Sequence, residues 1–172
     1  DIFINGVLSE DMSLYIHRPS VTDPTCAPEN CDTFYVLSCV PHLGHSNPII
    51  WEKEKEKYLK KVAQFLDNRL LPGFQKTLVE SHVMTPNDFG KNYLSPMGTG
   101  FSIEPRMFQS AWFRPHNISE EIEGLYLVGA GTHPGPGVPG VIASAEIIAK
   151  EIKDAKQYQK ENNNFYEKID AR

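Results

Sequence analysis

A glycine- and proline-rich segment, residues 129–140, holds the residue types best suited to chemistry in this sequence. It follows the apolar residues 125–128 and precedes a helical pattern. Free backbone N–H groups in the first turn of a helix, together with the helix dipole, favour an anionic group there. Glycines lack Cβ and so allow a flat or charged ligand to approach the main chain. The segment is therefore a candidate ligand-contacting loop, although glycine and proline would equally shape a tight crossover.

Two known phosphate-binding patterns fit this segment poorly. The spacing Gly135-x-Gly137-x-x-Gly140 formally matches the dinucleotide fingerprint, which normally begins where a strand ends. Here the apolar run stops at Val128, and residues 130–134 intervene. A P-loop is excluded because no Gly-Lys-Ser/Thr follows.

The histidines and the cysteines give weaker evidence of a functional site than the glycine-rich segment does. The segment contains His133, whereas His17, His42, His45 and His82 have neither metal-ligand spacing nor a nucleophile beside them, and no metal site is expected. The three cysteines, Cys26, Cys31 and Cys39, lack a matching downstream pair and are expected to be small, buried, reduced thiols.

The elements that position the loop are predicted from hydrophobic patterning. Residues 13–17, 33–40 and 78–84 are predicted strands, and a helix is predicted over about 48–71, capped by Asn47. Residues 125–128 are typical of a buried parallel strand, and Pro139 is expected to open a second helix. Residues 85–115 are predicted to be irregular but rich in aromatic side chains, which either fill this chain's core or line a ligand site.

Composition narrows the function classes. The chain has 172 residues and a net charge of -5, which disfavours binding to nucleic acid through phosphate neutralisation. No apolar run approaches the roughly 20 residues that span a bilayer. The first residues do not resemble a signal peptide, and we expect the chain to be part of a longer protein. Residues 154–172 are predicted to be either the fraying end of a helix or a solvated polar tail.

Several motifs in fixed order resemble the bacterial-type phytoene desaturases, which are FAD-dependent enzymes of the amine-oxidase-like superfamily. Residues 125–140, Leu-Tyr-Leu-Val-Gly-Ala-Gly-Thr-His-Pro-Gly-Pro-Gly-Val-Pro-Gly, are similar to their C-terminal signature. Residues 101–117, with the run Trp-Phe-Arg-Pro-His-Asn, precede it as in that family. Residues 11–17, 27–29 and 35–43 resemble upstream family motifs.

The resemblance implies an α/β fold that is an incomplete fragment of a two-domain, glutathione-reductase-like FAD architecture. Residues 1–115 would end an α+β substrate-binding domain, and residues 116–153 would supply the last strand, loop and helix of a Rossmann-like FAD domain. The N-terminal part of the same enzyme, which carries the main FAD motif, would be the partner of this fragment. The isolated fragment is expected to be inactive.

The resemblance also implies residue roles. The cofactor-binding residues would be Gly129, Ala130, Gly131, Thr132, Gly140 and Val141. FAD would take a hydride from an apolar polyene such as phytoene, and His133 is the candidate acid or base. Arg114 would either pair with Glu104 or contact FAD. The substrate tunnel would be lined by Phe101, Phe108, Trp112 and Phe113.

The resemblance leaves alternatives open. One is a non-catalytic prenyl-binding relative of the same FAD fold, like the Rab GDP dissociation inhibitors. Others are a related carotenoid or retinoid saturase, ketolase or dehydrogenase. The full-length protein is expected to be cytoplasmic and peripherally attached to a membrane, because its substrate dissolves in lipid.

Overall fold

The computed structural model describes residues 2–104 and 106–152. They form two compact units that divide between Gly100 and Phe101. The predicted polar tail, residues 154–172, lies outside the described residues. The mixture of helices with one small sheet agrees with the mixed α and β class expected from the sequence. The assignment of residues 1–115 and 116–153 to two parent domains stays a prediction.

The first unit contains an antiparallel hairpin of β1 (Leu14–His17) and β2 (Tyr35–Ser38). Its register pairs Leu14 with Ser38 and His17 with Tyr35. The segment that connects the two strands is closed where it leaves β1 and returns to β2, because Arg18 donates two hydrogen bonds to the Asp32 carboxylate at 2.9 and 2.7 Å. Both strands were predicted, with wider bounds than the structure gives them.

Four helices complete the first unit: α1 (Ile2–Asn5), α2 (Trp51–Arg69), α3 (Phe74–Thr77) and α4 (Pro86–Tyr93). The long helix α2 was predicted, but it begins after Ile50 rather than at Pro48. Its end is fixed by Asp67, whose carboxylate accepts the N–H groups of Gly73 and Phe74 and so joins α2 to α3.

The predicted strand at residues 78–84 is wrong. The sheet in the described part of the chain has two strands, and residues 78–82 are exposed with no partner strand beside them. A strand needs a neighbour to satisfy its backbone polar groups, so β propensity alone does not create one. In the segment predicted to be irregular, α4 forms instead, because Asp88 accepts from both the backbone and the hydroxyl of Thr85.

The second unit consists of short turns, a glycine-rich loop and one long helix. Two 3₁₀ turns, Met107–Gln109 and Ala111–Phe113, lead to a single antiparallel bridge between Ile118 and Tyr126. The helix α5 (Val138–Glu151) follows the loop, with Pro139 in its first turn as predicted.

The buried parallel strand predicted at residues 125–128 is also wrong. The segment forms only the Ile118–Tyr126 bridge, and Leu125, Tyr126 and Val128 are exposed. A parallel strand is buried by neighbouring strands and by helices on both faces. The described residues of this unit supply no such strands.

Few apolar side chains are buried. Among the described residues the buried apolar set is Met12, Trp51, Ala63, Leu66 and Ile148. The expectation of buried cysteines is wrong, since Cys26, Cys31 and Cys39 are all exposed free thiols. Cys26 and Cys31 lie in the polar excursion between the strands, where no apolar layer exists to cover them.

No helix in the described ranges is long and apolar enough to cross a bilayer.

Candidate functional site

The glycine-rich loop and the residues just before it lie against a segment that we call the brace, residues 111–117, which begins with the 3₁₀ turn Ala111–Phe113. Two backbone hydrogen bonds join them, from Leu127 N–H to the Asn117 carbonyl at 2.8 Å and from His133 N–H to the Pro115 carbonyl at 3.0 Å. The brace therefore contacts the loop at both ends of residues 127–133.

Asn117 is a buried side chain at the centre of this contact, 5% exposed. Its amide Nδ2 lies 3.1 Å from the Leu127 carbonyl and 2.9 Å from the His133 carbonyl. The Thr132 hydroxyl lies 3.2 Å from the same nitrogen. One amide group thus holds both ends of the loop segment that precedes Pro134.

Arg114 is buried beneath the loop and is 2% exposed. Its Nη2 donates to the Ala130 carbonyl at 2.7 Å, and its Nη1 donates to the Gln109 carbonyl at 3.1 Å. Its Nε has no hydrogen-bond partner within the described residues. The predicted alternative of a pair with Glu104 is not realised, because Glu104 binds Arg106 instead.

The loop is also tied to α5 by Ser144, which is fully buried. The Ser144 hydroxyl accepts the Gly129 N–H at 2.9 Å and donates to the Val141 carbonyl at 2.7 Å. The Thr132 N–H and hydroxyl both donate to the Gly129 carbonyl, at 3.2 and 3.1 Å. These bonds close a tight turn directly after the apolar residues 125–128.

This arrangement leaves particular backbone N–H groups available. In a trans peptide the carbonyl and the N–H point in opposite directions, so binding of the Ala130 carbonyl by Arg114 directs the Gly131 N–H away from Arg114. Within the described residues nothing accepts from the N–H groups of Gly131 or Gly140. The N–H of Val141 is already used, since it donates to the Gly137 carbonyl at 2.9 Å.

Glycine is required at several loop positions. Gly129, Gly135 and Gly137 have φ values of 111°, 139° and 94°, a region that side chains disfavour. A Cβ on Gly140 would lie 2.4 Å from the Gly135 carbonyl oxygen, and one on Gly131 would lie 2.9 Å from the Ser102 hydroxyl. Backbone conformation therefore favours glycine at Gly129, Gly135 and Gly137, whereas close contacts leave no space for a side chain at Gly140 and little at Gly131.

His133 lies at the edge of an open groove of about 330 Å³. Its Nδ1 is 3.0 Å from the Ala111 carbonyl, and its ring centroid is 6.2 Å from that of Trp112. The ring centroid of His116 is 5.3 Å from that of Trp112, and its Nδ1 lies 2.9 Å from Glu120 Oε1. A carbonyl only accepts hydrogen bonds, so a neutral His133 carries its proton on Nδ1 and a lone pair on Nε2.

The four predicted substrate-lining aromatics all lie on the surface of the second unit. Phe101, Phe108, Trp112 and Phe113 are 54%, 69%, 69% and 58% exposed. Phe108 and Phe113 contact each other edge to face, with centroids 5.5 Å apart. These four residues do not fill a core within this chain, and their role in substrate binding stays a prediction.

Sequence reasoning missed Asn117 and Ser144. Ser144 had a detectable signal, because it lies three residues after Val141 and four before Ile148 on a predominantly apolar helix. Such a position usually needs a hydrogen-bond partner when it is buried. Asn117 had no comparable signal, since its partners lie 10–16 residues away in the chain.

No protein-family model matches the chain, but curated relatives do. A neurosporene-forming phytoene desaturase of Rhodobacter capsulatus is 63% identical over 155 residues, which cover 90% of this chain and 30% of that protein. A lycopene-forming phytoene desaturase of Pseudescherichia vulneris is 50% identical over 149 residues, covering 87% and 30%. A 4,4'-diapophytoene desaturase of Staphylococcus aureus is 38% identical over 159 residues, covering 88% and 31%.

The chain therefore spans about 30% of the length of the curated relatives it matches, in their C-terminal part. This confirms the resemblance to the bacterial-type phytoene desaturases that the sequence motifs indicated.

Proposed function

We propose that this chain, a homologue of the C-terminal part of bacterial phytoene desaturases, forms that part of an FAD-dependent carotenoid desaturase. The complete enzyme introduces double bonds into a long apolar polyene by hydride transfer to flavin. In this structure, the proposal is supported mainly by the braced glycine loop, which leaves the Gly131 and Gly140 N–H groups without protein acceptors.

The loop fits a flavin in three respects. Unused N–H groups can donate to its oxygen and nitrogen atoms, the glycines permit close approach, and the start of α5 favours developing negative charge. Bound FAD would supply the redox chemistry by accepting a hydride. Gly131 and Gly140 would donate to it, and Gly129 and Ala130 would contact it through the backbone. Thr132 and Val141 would shape the loop, because their N–H groups are already engaged.

The chain's own residues then have distinct tasks. The N-terminus of α5 stabilises negative charge on the cofactor through its dipole. His133 is held by the Ala111 carbonyl and offers Nε2 as the atom that collects a proton released from carbon. The exposed aromatics Phe101, Phe108, Trp112 and Phe113 provide an apolar wall for a substrate without polar groups.

The substrate we propose is a C40 polyene of the phytoene type. The relatives named for phytoene are 46–63% identical to the chain, whereas those named for 4,4'-diapophytoene are 37–38% identical. The N-terminal part of the same enzyme completes the site. Because the substrate dissolves in lipid, we also propose that the full-length protein is cytoplasmic and contacts a membrane peripherally.

The test is to express the full-length gene in bacteria that accumulate phytoene and to record the visible spectrum of the extracted pigment. We expect the absorption bands of a lengthened polyene, whose position counts the added double bonds. The purified enzyme should lose this activity when FAD is withheld. Unchanged phytoene with flavin bound would indicate another polyene oxidoreductase, and absence of flavin would indicate a non-catalytic prenyl-binding relative.

A further inference from the structure

We propose that Arg114 and Asn117 are positioning residues that aim the loop's backbone N–H groups at the flavin, and that the Arg114 charge raises the flavin's reduction potential. This inference rests on the proposed function. Neither side chain needs to contact cofactor or substrate, because both act through the carbonyl groups of the loop.

The positions of the donors support this role. Arg114 binds the Ala130 carbonyl, and Asn117 binds the carbonyls of Leu127 and His133. All three carbonyls belong to residues on or beside the loop and are held from the same brace. Since carbonyl and N–H oppose each other across a peptide bond, fixing the Ala130 carbonyl fixes the direction of the Gly131 N–H.

The residue types suit the task. Arginine has five donors in a rigid plane and no acceptor, so it can bind two separate carbonyls at once. It does so here with Gln109 and Ala130. Lysine would keep the charge without the planar fork. The asparagine amide supplies two N–H groups from one rigid plane, and a residue without donors would release both carbonyls.

The charge of Arg114 is unusual for its position. The side chain is 2% exposed, and no carboxylate within the described ranges pairs with it. A buried cation without an anion is costly. Here carbonyl dipoles offset that cost in part, and no carboxylate of the described residues forms an ion pair with the charge beneath the loop. Its field favours an anionic form of any group bound above, and a reduced flavin is more negative than an oxidised one.

The experiment uses the full-length desaturase, purified with FAD. Flavin affinity, the absorption spectrum of bound flavin and its midpoint potential are measured for the wild type, Arg114→Met, Arg114→Lys and Asn117→Leu. Arg106→Met is the control, because Arg106 lies in the same unit but is exposed and pairs with Glu104. Amide hydrogen exchange at Thr132 and His133, whose N–H groups donate to the Gly129 and Pro115 carbonyls, provides a readout in the FAD-free protein that is independent of the cofactor.

We expect Arg114→Met to weaken FAD binding about tenfold or more, as loss of charged hydrogen bonds implies, and to shift the potential to more negative values. Arg114→Lys should restore the potential but only part of the affinity. Asn117→Leu should weaken binding without moving the potential, and both Arg114→Met and Asn117→Leu should accelerate exchange at Thr132 and His133. The Arg106→Met control should match the wild type in each measurement.

Wild-type affinity, spectrum and potential in Arg114→Met and Asn117→Leu would overturn the inference while leaving the proposed function intact. If Arg114→Met does not fold, Arg114→Lys and Asn117→Leu decide the question, and wild-type behaviour in both would again overturn it. A wild-type protein that binds no flavin would refute the proposed function and this inference with it.

Discussion

Single residues decide the shape of the glycine-rich loop. Among its glycines, Gly140 is the position where an added Cβ would lie closest to another atom. Gly140→Ala should destabilise the second unit by about 1–3 kcal/mol, because the added Cβ would lie 2.4 Å from the Gly135 carbonyl oxygen. Gly90→Ala is a matched control, since Gly90 is also helical but has only ordinary contacts. Alanine favours helices by about 1 kcal/mol, so this control should be neutral or stabilising. Thermal unfolding of both variants measures the difference, and equal stability would refute the steric argument.

The exposure of the cysteines is a second residue-scale property that can be tested. Cys26, Cys31 and Cys39 are exposed and free, so all three should react with a disulfide reagent such as DTNB in the native protein. Adding denaturant should not increase the number of thiols that react. A thiol that reacts only after unfolding would show that it is buried.

At the scale of elements, the packing of α2 depends on a few side chains on one face. Leu66→Ala should cost about 2–5 kcal/mol, because Leu66 is 1% exposed and its truncation leaves a cavity. Leu70→Ala, one turn further along, should change the free energy of unfolding by less than about 1 kcal/mol, because Leu70 is 55% exposed. Urea unfolding of the two variants measures the contrast. Similar losses would mean that α2 does not bury the face described here.

The start of α4 should make stability depend on pH. Hydrogen bonds from Thr85 to the Asp88 carboxylate lower the pKa of Asp88 below its ordinary value. The bond from the Thr85 hydroxyl has the larger effect, and the bond from the Thr85 backbone N–H has the next largest. The contribution of this carboxylate is therefore complete above an unfolded-state pKa of about 3.9, and is lost as the pH falls through the lower folded-state pKa. Asp88→Asn should lower the free energy of unfolding by about 1 kcal/mol at pH 7, and should leave it unchanged at a pH low enough to protonate Asp88 in the folded protein.

Unfolding experiments between pH 7 and pH 2 measure this dependence. The exposed carboxylate of Glu80 is the control, and Glu80→Gln should follow the wild-type curve. A constant difference between wild type and Asp88→Asn at every pH would contradict the assignment.

At the scale of the whole molecule, the described residues expose far more large apolar side chains than they bury. An excess of exposed over buried apolar side chains is expected of a chain that a partner normally covers. In the proposed enzyme that partner is the N-terminal part. The isolated chain should therefore bind the dye ANS and should not retain FAD.

Mixing the chain with the complementary N-terminal part of the desaturase should lower ANS fluorescence and restore FAD retention. Fluorescence titration measures both effects. Tight FAD binding by the chain alone would contradict the prediction, because the loop would then suffice without the rest of the enzyme.

The sequence alone determined the features that depend on local chemistry. The apolar spacing of α2, the proline in the first turn of α5 and the β-rich hairpin strands are all found in the structure. The glycine loop was identified because unusual backbone angles and close approaches require glycine wherever they occur. The order of motifs also indicated the family, which the curated relatives confirm.

Which residues of the site act together depends on how the chain folds back on itself. The strands predicted at 78–84 and 125–128 did not form as expected, since strand formation depends on a partner that local sequence does not specify. The exposure of the three cysteines likewise depends on whether other parts of the chain cover them, which local sequence does not specify. The contacts of Arg114 and Asn117 with carbonyls 5–16 residues away arise from chain reversal, and no local pattern encodes that geometry.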